Sequence, residues 1–199
     1  MTRHLMVDLE TLSLGIDAPV LQIGAVEFDP AAGRVTREFS RTVGLASALD
    51  HGRLDPGTLL WWLGQSEALA TFLVAQEHAV PLFHALSDLT FFLQGRDPGG
   101  IGIAAGIAAP LGEDVLVWAH GASFDIPILE RLYLRLFAGK RLSIPWHYHA
   151  IRDTRTLFWL VGGLDPKEFN KGTKHNALDD AKAQAAAVMF ALRTLGRTA

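Results

Sequence analysis

Asp8 and Glu10 are the first residues in this chain whose spacing suggests chemistry. Residues 4–10 alternate as a strand, with Leu5, Val7 and Leu9 on one face and Met6, Asp8 and Glu10 on the other. Two carboxylates two apart on a strand leave the same face, roughly 7 Å apart. They repel each other unless a cation lies between them, and an oxygen-only pair suits Mg²⁺ or Mn²⁺. The competing reading is a strand end that faces solvent. Asp-x-Glu occurs once in the sequence.

Two further clusters follow. In His120-Gly121-Ala122-Ser123-Phe124-Asp125 an acid lies after a buried strand and at a helix start, where α/β folds place ligands. An acid there also stabilises a helix N-terminus, which is sufficient reason for it in isolation. In His175-Asn176-Ala177-Leu178-Asp179-Asp180, Asn176 is a good N-cap and Asp179, three residues on, can close a capping box. Asp179 is therefore assigned to structure. His175, just before the helix, and Asp180, on its first turn, can converge on one point. A histidine beside a bound cation can act as a general base.

These residues need elements to hold them. Residues 20–29 and 34–43 read as two more strands, joined by a turn at 30–33 into a hairpin. Helices are predicted from Asp55-Pro56, from a Ser66 cap through about residue 77, and over 82–94. Residues 114–119 read as a short buried strand and 123–138 as a helix, with Pro127 in its first turn. A short helix over 153–161, a polar loop over 162–174 and a long Ala-rich helix over 176–195 complete the pattern. Residues 95–113, rich in Gly, Ala and Pro, read as a loop insertion. The expectation is one α/β domain over 1–199, with a mixed central sheet flanked by helices.

Composition narrows the classes. The chain has 199 residues, 49% hydrophobic and 20% charged, which suffices for a buried core and excludes a disordered tail or a fibre. With no cysteine there is no disulfide scaffold, thiolate zinc site or cysteine nucleophile. The N-terminal segment lacks the apolar core of a signal peptide, and residues 101–112 are too short to span a bilayer, so a soluble cytoplasmic protein is the default. Low charge usage points to a self-association surface and a homo-oligomer, although deeper burial accounts for it equally well. Net charge is −3, but residues 131–175 carry nine Lys/Arg against three Asp/Glu. Such asymmetry suggests an anionic partner on one face and acidic chemistry elsewhere.

Taken in order, the three clusters resemble the DEDD superfamily of 3′–5′ exonucleases, in the branch with a histidine in the third motif. Asp8-Leu9-Glu10-Thr11 is similar to the first motif, Ser123-Phe124-Asp125 to the second, and His175 through Asp180 to the third. Residues 55–66, Trp146 and Arg152-Asp153-Thr154-Arg155-Thr156 resemble a phage-type, exonuclease-VIII-like subgroup. The resemblance implies a ribonuclease-H-like fold and two-metal phosphodiester hydrolysis at single-stranded DNA or RNA 3′ ends. Asp8, Glu10 and Asp180 would hold one Mg²⁺ or Mn²⁺. Asp8 would bridge to a second ion supported by Asp125, and neutral His175 would deprotonate the attacking water. By the same resemblance the Thr11 backbone and the Leu12 side chain would hold the terminal nucleotide. Where many relatives carry Asn, this chain has His120, which either contacts a phosphate or satisfies a strand end. The latter is favoured. Trp61 and Trp62, adjacent on a helix, cannot both face the core, so one of them, with Trp62 the candidate, could stack on a base. The competing expectations are a non-catalytic nucleic-acid-binding module and a processor of short RNA.

Overall fold

The computed structural model describes residues 2–96, 111–112, 114–137 and 144–197. Three antiparallel strands open the chain: β1 (Arg3–Thr11), β2 (Val20–Asp29) and β3 (Arg34–Thr42). β4 (Val115–Ala119) and β5 (Ile151–Asp153) then add parallel to β1, giving one mixed sheet in the order β3-β2-β1-β4-β5. Between β3 and β4 lie α1 (Leu45–His51), α2 (Pro56–Leu63), α3 (Ser66–Ala75) and α4 (Leu82–Leu93). α5 (Ala122–Leu136) follows β4, α6 (Thr154–Leu160) follows β5, and α7 (Ala177–Thr194) is last.

The alternation read in β1 divides the core in two. Leu5, Val7 and Leu9 pack with Leu82, Leu86 and Leu89 of α4 and with Ile126, Leu129 and Leu132 of α5. Met6, on the opposite face, packs with Val26 and Phe28 of β2, with Leu157 and Phe158 of α6, and with Ala181, Ala185 and Val188 of α7. Asp8 and Glu10 share the Met6 face, so the strand period alone turns both acids toward α7.

α7 lies close to the sheet because of Gly24. A Cβ built there would overlap the backbone carbonyl of Ala177 and the Leu178 nitrogen. Gly24 pairs directly with Asp8. The glycine therefore seats the first turn of α7 beside the first acid.

Several expectations are corrected. β5 is not among the expected strands: it has only three residues, too short for an alternation to show, and it takes Asp153 from the start of the helix expected over 153–161. α5 begins at Ala122, anchored by Asp153, which accepts the Ala122 N–H; Pro127 therefore lies inside the helix rather than in its first turn. Ser66 is the first helical residue of α3, not its cap, and residues 76–78 form a separate 3₁₀ turn. The loop insertion expected over 95–113 lies mostly outside the described residues. At its far edge Leu111 is buried and donates to the Pro145 carbonyl at 2.7 Å. Among the described residues no helix is long and apolar enough to cross a membrane.

Candidate active site

β4 pairs with β1 only as far as Met6–Trp118. Three residues on, the Leu9 N–H donates to Asp125 Oδ1 at 3.2 Å. The carboxylate at the start of α5 thus continues the edge that β4 abandons, and this draws Asp125 against the strand carrying Asp8 and Glu10. Asp125 is almost fully buried, at 3% exposure.

α7 supplies the fourth acid. Asn176 caps it, accepting from the Leu178 and Asp179 N–H groups at 3.2 Å each. Asp179 is structural as expected, but its partner differs: it accepts from the Thr173 N–H at 2.9 Å, bracing the preceding loop. Asp180, one position on, takes a hydrogen bond from Asn170 Nδ2 at 2.8 Å. A turn further, Gln184 Nε2 donates to Asp8 Oδ1 at 2.7 Å, while Gln184 Oε1 is buried with no protein partner. Neither Asn170 nor Gln184 was singled out in the sequence. The available signal for Gln184 was a lone amide among alanines, four residues after Asp180.

Every acid of the cluster resists ionisation. Burial, then Asp125, Glu10 and Asp180, push Asp8 well above the usual carboxylate range. Burial, then Asp180 and Asp125, raise Glu10 to about 8. Burial raises Asp125 to about 7 against the hydrogen bond from Leu9. Burial also raises Asp180, opposed by His175 and Asn170. Among the described residues no lysine or arginine forms an ion pair with any of the four. Their charge is thus not neutralised by an ion pair among the described residues.

His175 completes the centre. Its φ of +59° is the one positive value outside glycine among the described residues. Left-handed backbone at a non-glycine residue is uncommon and gathers at functional sites. Its ring lies edge-on to Trp61, centroids 4.8 Å apart, with Trp62 at 6.4 Å. Potential ligand atoms of Glu10, His175 and Asp180 all fall within 4.8 Å of one another.

A cleft of about 480 Å³ opens beside the acids, lined by Leu9, Glu10, Thr11, Leu14, Trp61, Trp62 and Phe124 among others. Here two sequence expectations need revision. The Leu12 side chain is buried with Leu21, Trp62 and Phe72, because the chain turns it inward after Thr11, whereas exposed Leu14 faces the cleft. Trp62 is also buried, its indole N–H donating to the Thr11 carbonyl at 2.9 Å, so the Trp62 ring has little face to offer a base. Trp61 is the exposed indole. The same Trp62 bond occupies the Thr11 carbonyl. His120 is held at its strand end, Nδ1 2.8 Å from Thr154 Oγ1, and burial lowers its pKa.

Acids from the first strand, from the helix after β4 and from the last helix, on a sheet ordered 3-2-1-4-5, define a ribonuclease-H-like fold of the DEDD exonuclease type. The chain belongs to the 3′–5′ exoribonuclease Rv2179c-like domain family, whose model matches residues 3–192. No curated protein matches. Among solved structures, E. coli exonuclease I bound to a dT13 oligonucleotide aligns with a TM-score of 0.65 at 13% identity, over 99% of this chain and 42% of that one. Exonuclease X in complex with 5′-overhanging duplex DNA aligns with a TM-score of 0.55 at 18% identity, over 97% and 93%. Exonuclease I from Methylocaldum szegediense gives 0.63 at 12% identity, over 100% and 42%. The chain thus spans less than half the length of the exonuclease I chains it resembles.

Proposed function

We propose that this protein is a 3′–5′ exonuclease that hydrolyses single-stranded nucleic-acid ends using two divalent cations, Mg²⁺ or Mn²⁺. The observation that carries the reading is the convergence of Asp8, Glu10, Asp125 and Asp180, none of which forms an ion pair with a lysine or arginine among the described residues. The donor set fits such ions: four carboxylates, plus a buried Gln184 oxygen left without a protein partner. Asp8, Glu10 and Asp180 would hold one ion, and Asp8 with Asp125 the second. Bound there, the cations would neutralise charge developing on the attacked phosphate and on the attacking and leaving oxygens.

The protein's own groups do the rest. His175 accepts a proton from the attacking water at an imidazole nitrogen, close to Glu10 and Asp180. Gln184 and Asn170 fix the orientations of Asp8 and Asp180. The apolar cleft beside Glu10 receives the terminal nucleotide, with Leu14, Trp61 and Phe124 offering surface for its base. The family description names RNA and the solved neighbours hold DNA, so the substrate assay pairs both.

The test follows 5′-labelled DNA and RNA oligomers with Mn²⁺ and with EDTA. Stepwise shortening from the 3′ end, abolished by EDTA and by Asp180→Asn, is expected. Cleavage that survives EDTA overturns the reading. Strand binding without turnover in Mn²⁺ replaces it with a binding module.

A further inference from the structure

The cationic stretch over 131–175 is sorted by the structure. Arg131 donates to the His51 carbonyl, and Arg135 to the carbonyls of His51 and Asp50, so both serve the packing of α5 against the end of α1. Arg152 donates to the carbonyls of His149 and Ile151. Lys140 and Arg141 lie outside the described residues. Arg155, exposed on the first turn of α6, differs from these three arginines: among the described residues its guanidinium makes no hydrogen bond or ion pair.

Arg155 is nevertheless held in place. Its guanidinium lies over Gly121, where a built Cβ would come within 3.0 Å of Cζ and 3.1 Å of a terminal nitrogen. Gly121 immediately precedes α5, four residues before Asp125. The nearby carboxylate that could have captured the side chain is already occupied. Asp153 Oδ1 accepts the N–H groups of Arg155 and Thr156, and Oδ2 accepts that of Ala122. Arg155 also favours the ionised form of Asp125, so its charge is felt at the acid centre although it forms no ion pair there.

We infer that Arg155 binds a backbone phosphate of the substrate strand, one nucleotide or more upstream of the bond being cut. A guanidinium presents a planar fork of donors that matches a phosphate, and here those donors are unspent. The bare backbone of Gly121 gives it a fixed seat. The role is positioning: Arg155 holds the strand so that its end reaches the acids. This rests on the nuclease reading above.

The experiment compares wild type, Arg155→Gln and Arg155→Lys in Mn²⁺ on two substrates. One is a ten-nucleotide single strand. The other is the p-nitrophenyl ester of a nucleoside 5′-monophosphate, which has no upstream phosphate. For Arg155→Gln, KM for the strand is expected to rise about tenfold with kcat within about threefold. The slope of log kcat/KM against log salt should fall by about one. The loss on the ester should be several-fold smaller, and Arg155→Lys should recover part of the strand affinity. An unchanged KM and salt slope would overturn the inference, as would equal losses on strand and ester, or a melting temperature lowered in step with activity. If wild type turns over neither substrate, the nuclease reading itself fails.

Discussion

Glu27 and the pair Asp8 and Glu10 are carboxylates of neighbouring strands in one sheet, and their surroundings are opposite. Glu27 receives Arg3 at 2.9 Å through both oxygens and Arg37 at 3.3 Å. Its pKa is lowered, chiefly by the hydrogen bond from Arg3. Asp8 and Glu10 have no such partner among the described residues and are raised, chiefly by burial. The first arrangement stabilises the protein by itself. The second is held together by the rest of the fold and, on the proposed function, is completed by cations from outside. Asp8 and Glu10 are more deeply buried than Glu27 and, among the described residues, have no arginine partner; the two differences together separate them from a structural acid.

That contrast can be broken by substitution. Asp8→Asn should lower exonuclease activity by at least ~10³-fold, since it removes the carboxylate proposed to be shared between two ions, while metal-free stability stays equal or rises. Activity assays and thermal melts without metal check both halves. Gln184→Ala should weaken Mn²⁺ binding by about 10- to 100-fold, measured by calorimetry, because Asp8 loses its orienting donor.

Titration sharpens the comparison. An acid whose folded pKa lies above its unfolded value binds protons on folding, so its stabilisation is complete below the unfolded value and drains as pH rises through the folded one. For Asp125 that window runs from 3.8 to about 7, and for Glu10 from 4.5 to about 8. The metal-free melting temperature should therefore fall between pH 5 and 8. Saturating Mn²⁺, at about 100 times its Kd, should restore roughly 2.7 kcal/mol, or about 5–10 °C, at the upper end. Glu27 runs the other way: its contribution is present above 4.5 and is lost as pH falls through its depressed pKa. The smallest effect is expected of Glu27→Gln, a loss of about 1–2 kcal/mol in a denaturant melt with exonuclease activity retained.

Period and order made much of this legible in advance. Strand alternation alone placed Asp8 and Glu10 on one face, and the cap at Asn176 located the start of α7. The parts that escaped were set by tertiary contact. Nothing local marks Asn170 as the partner of Asp180, since the two meet only when the loop folds back on the helix. Trp61 and Trp62 are equivalent in sequence. A bond to the Thr11 carbonyl, 51 residues distant, decides which is buried. The resemblance sets the Leu12 side chain against the terminal nucleotide, whereas its burial depends on Phe72 and Leu21. The close approach at Gly24 is visible only with both strand and helix in view.

The bond between Gln184 and Asp8 joins positions 176 residues apart, and that between Asp125 and Leu9 spans 116. Contacts so distant along the chain form late, because long loops must close before they can be made. Positions 8 through 180 must all have left the ribosome before the four acids could meet. The nascent chain thus carries a complete hairpin long before it carries all four acids, and the centre is assembled only when α7 has docked.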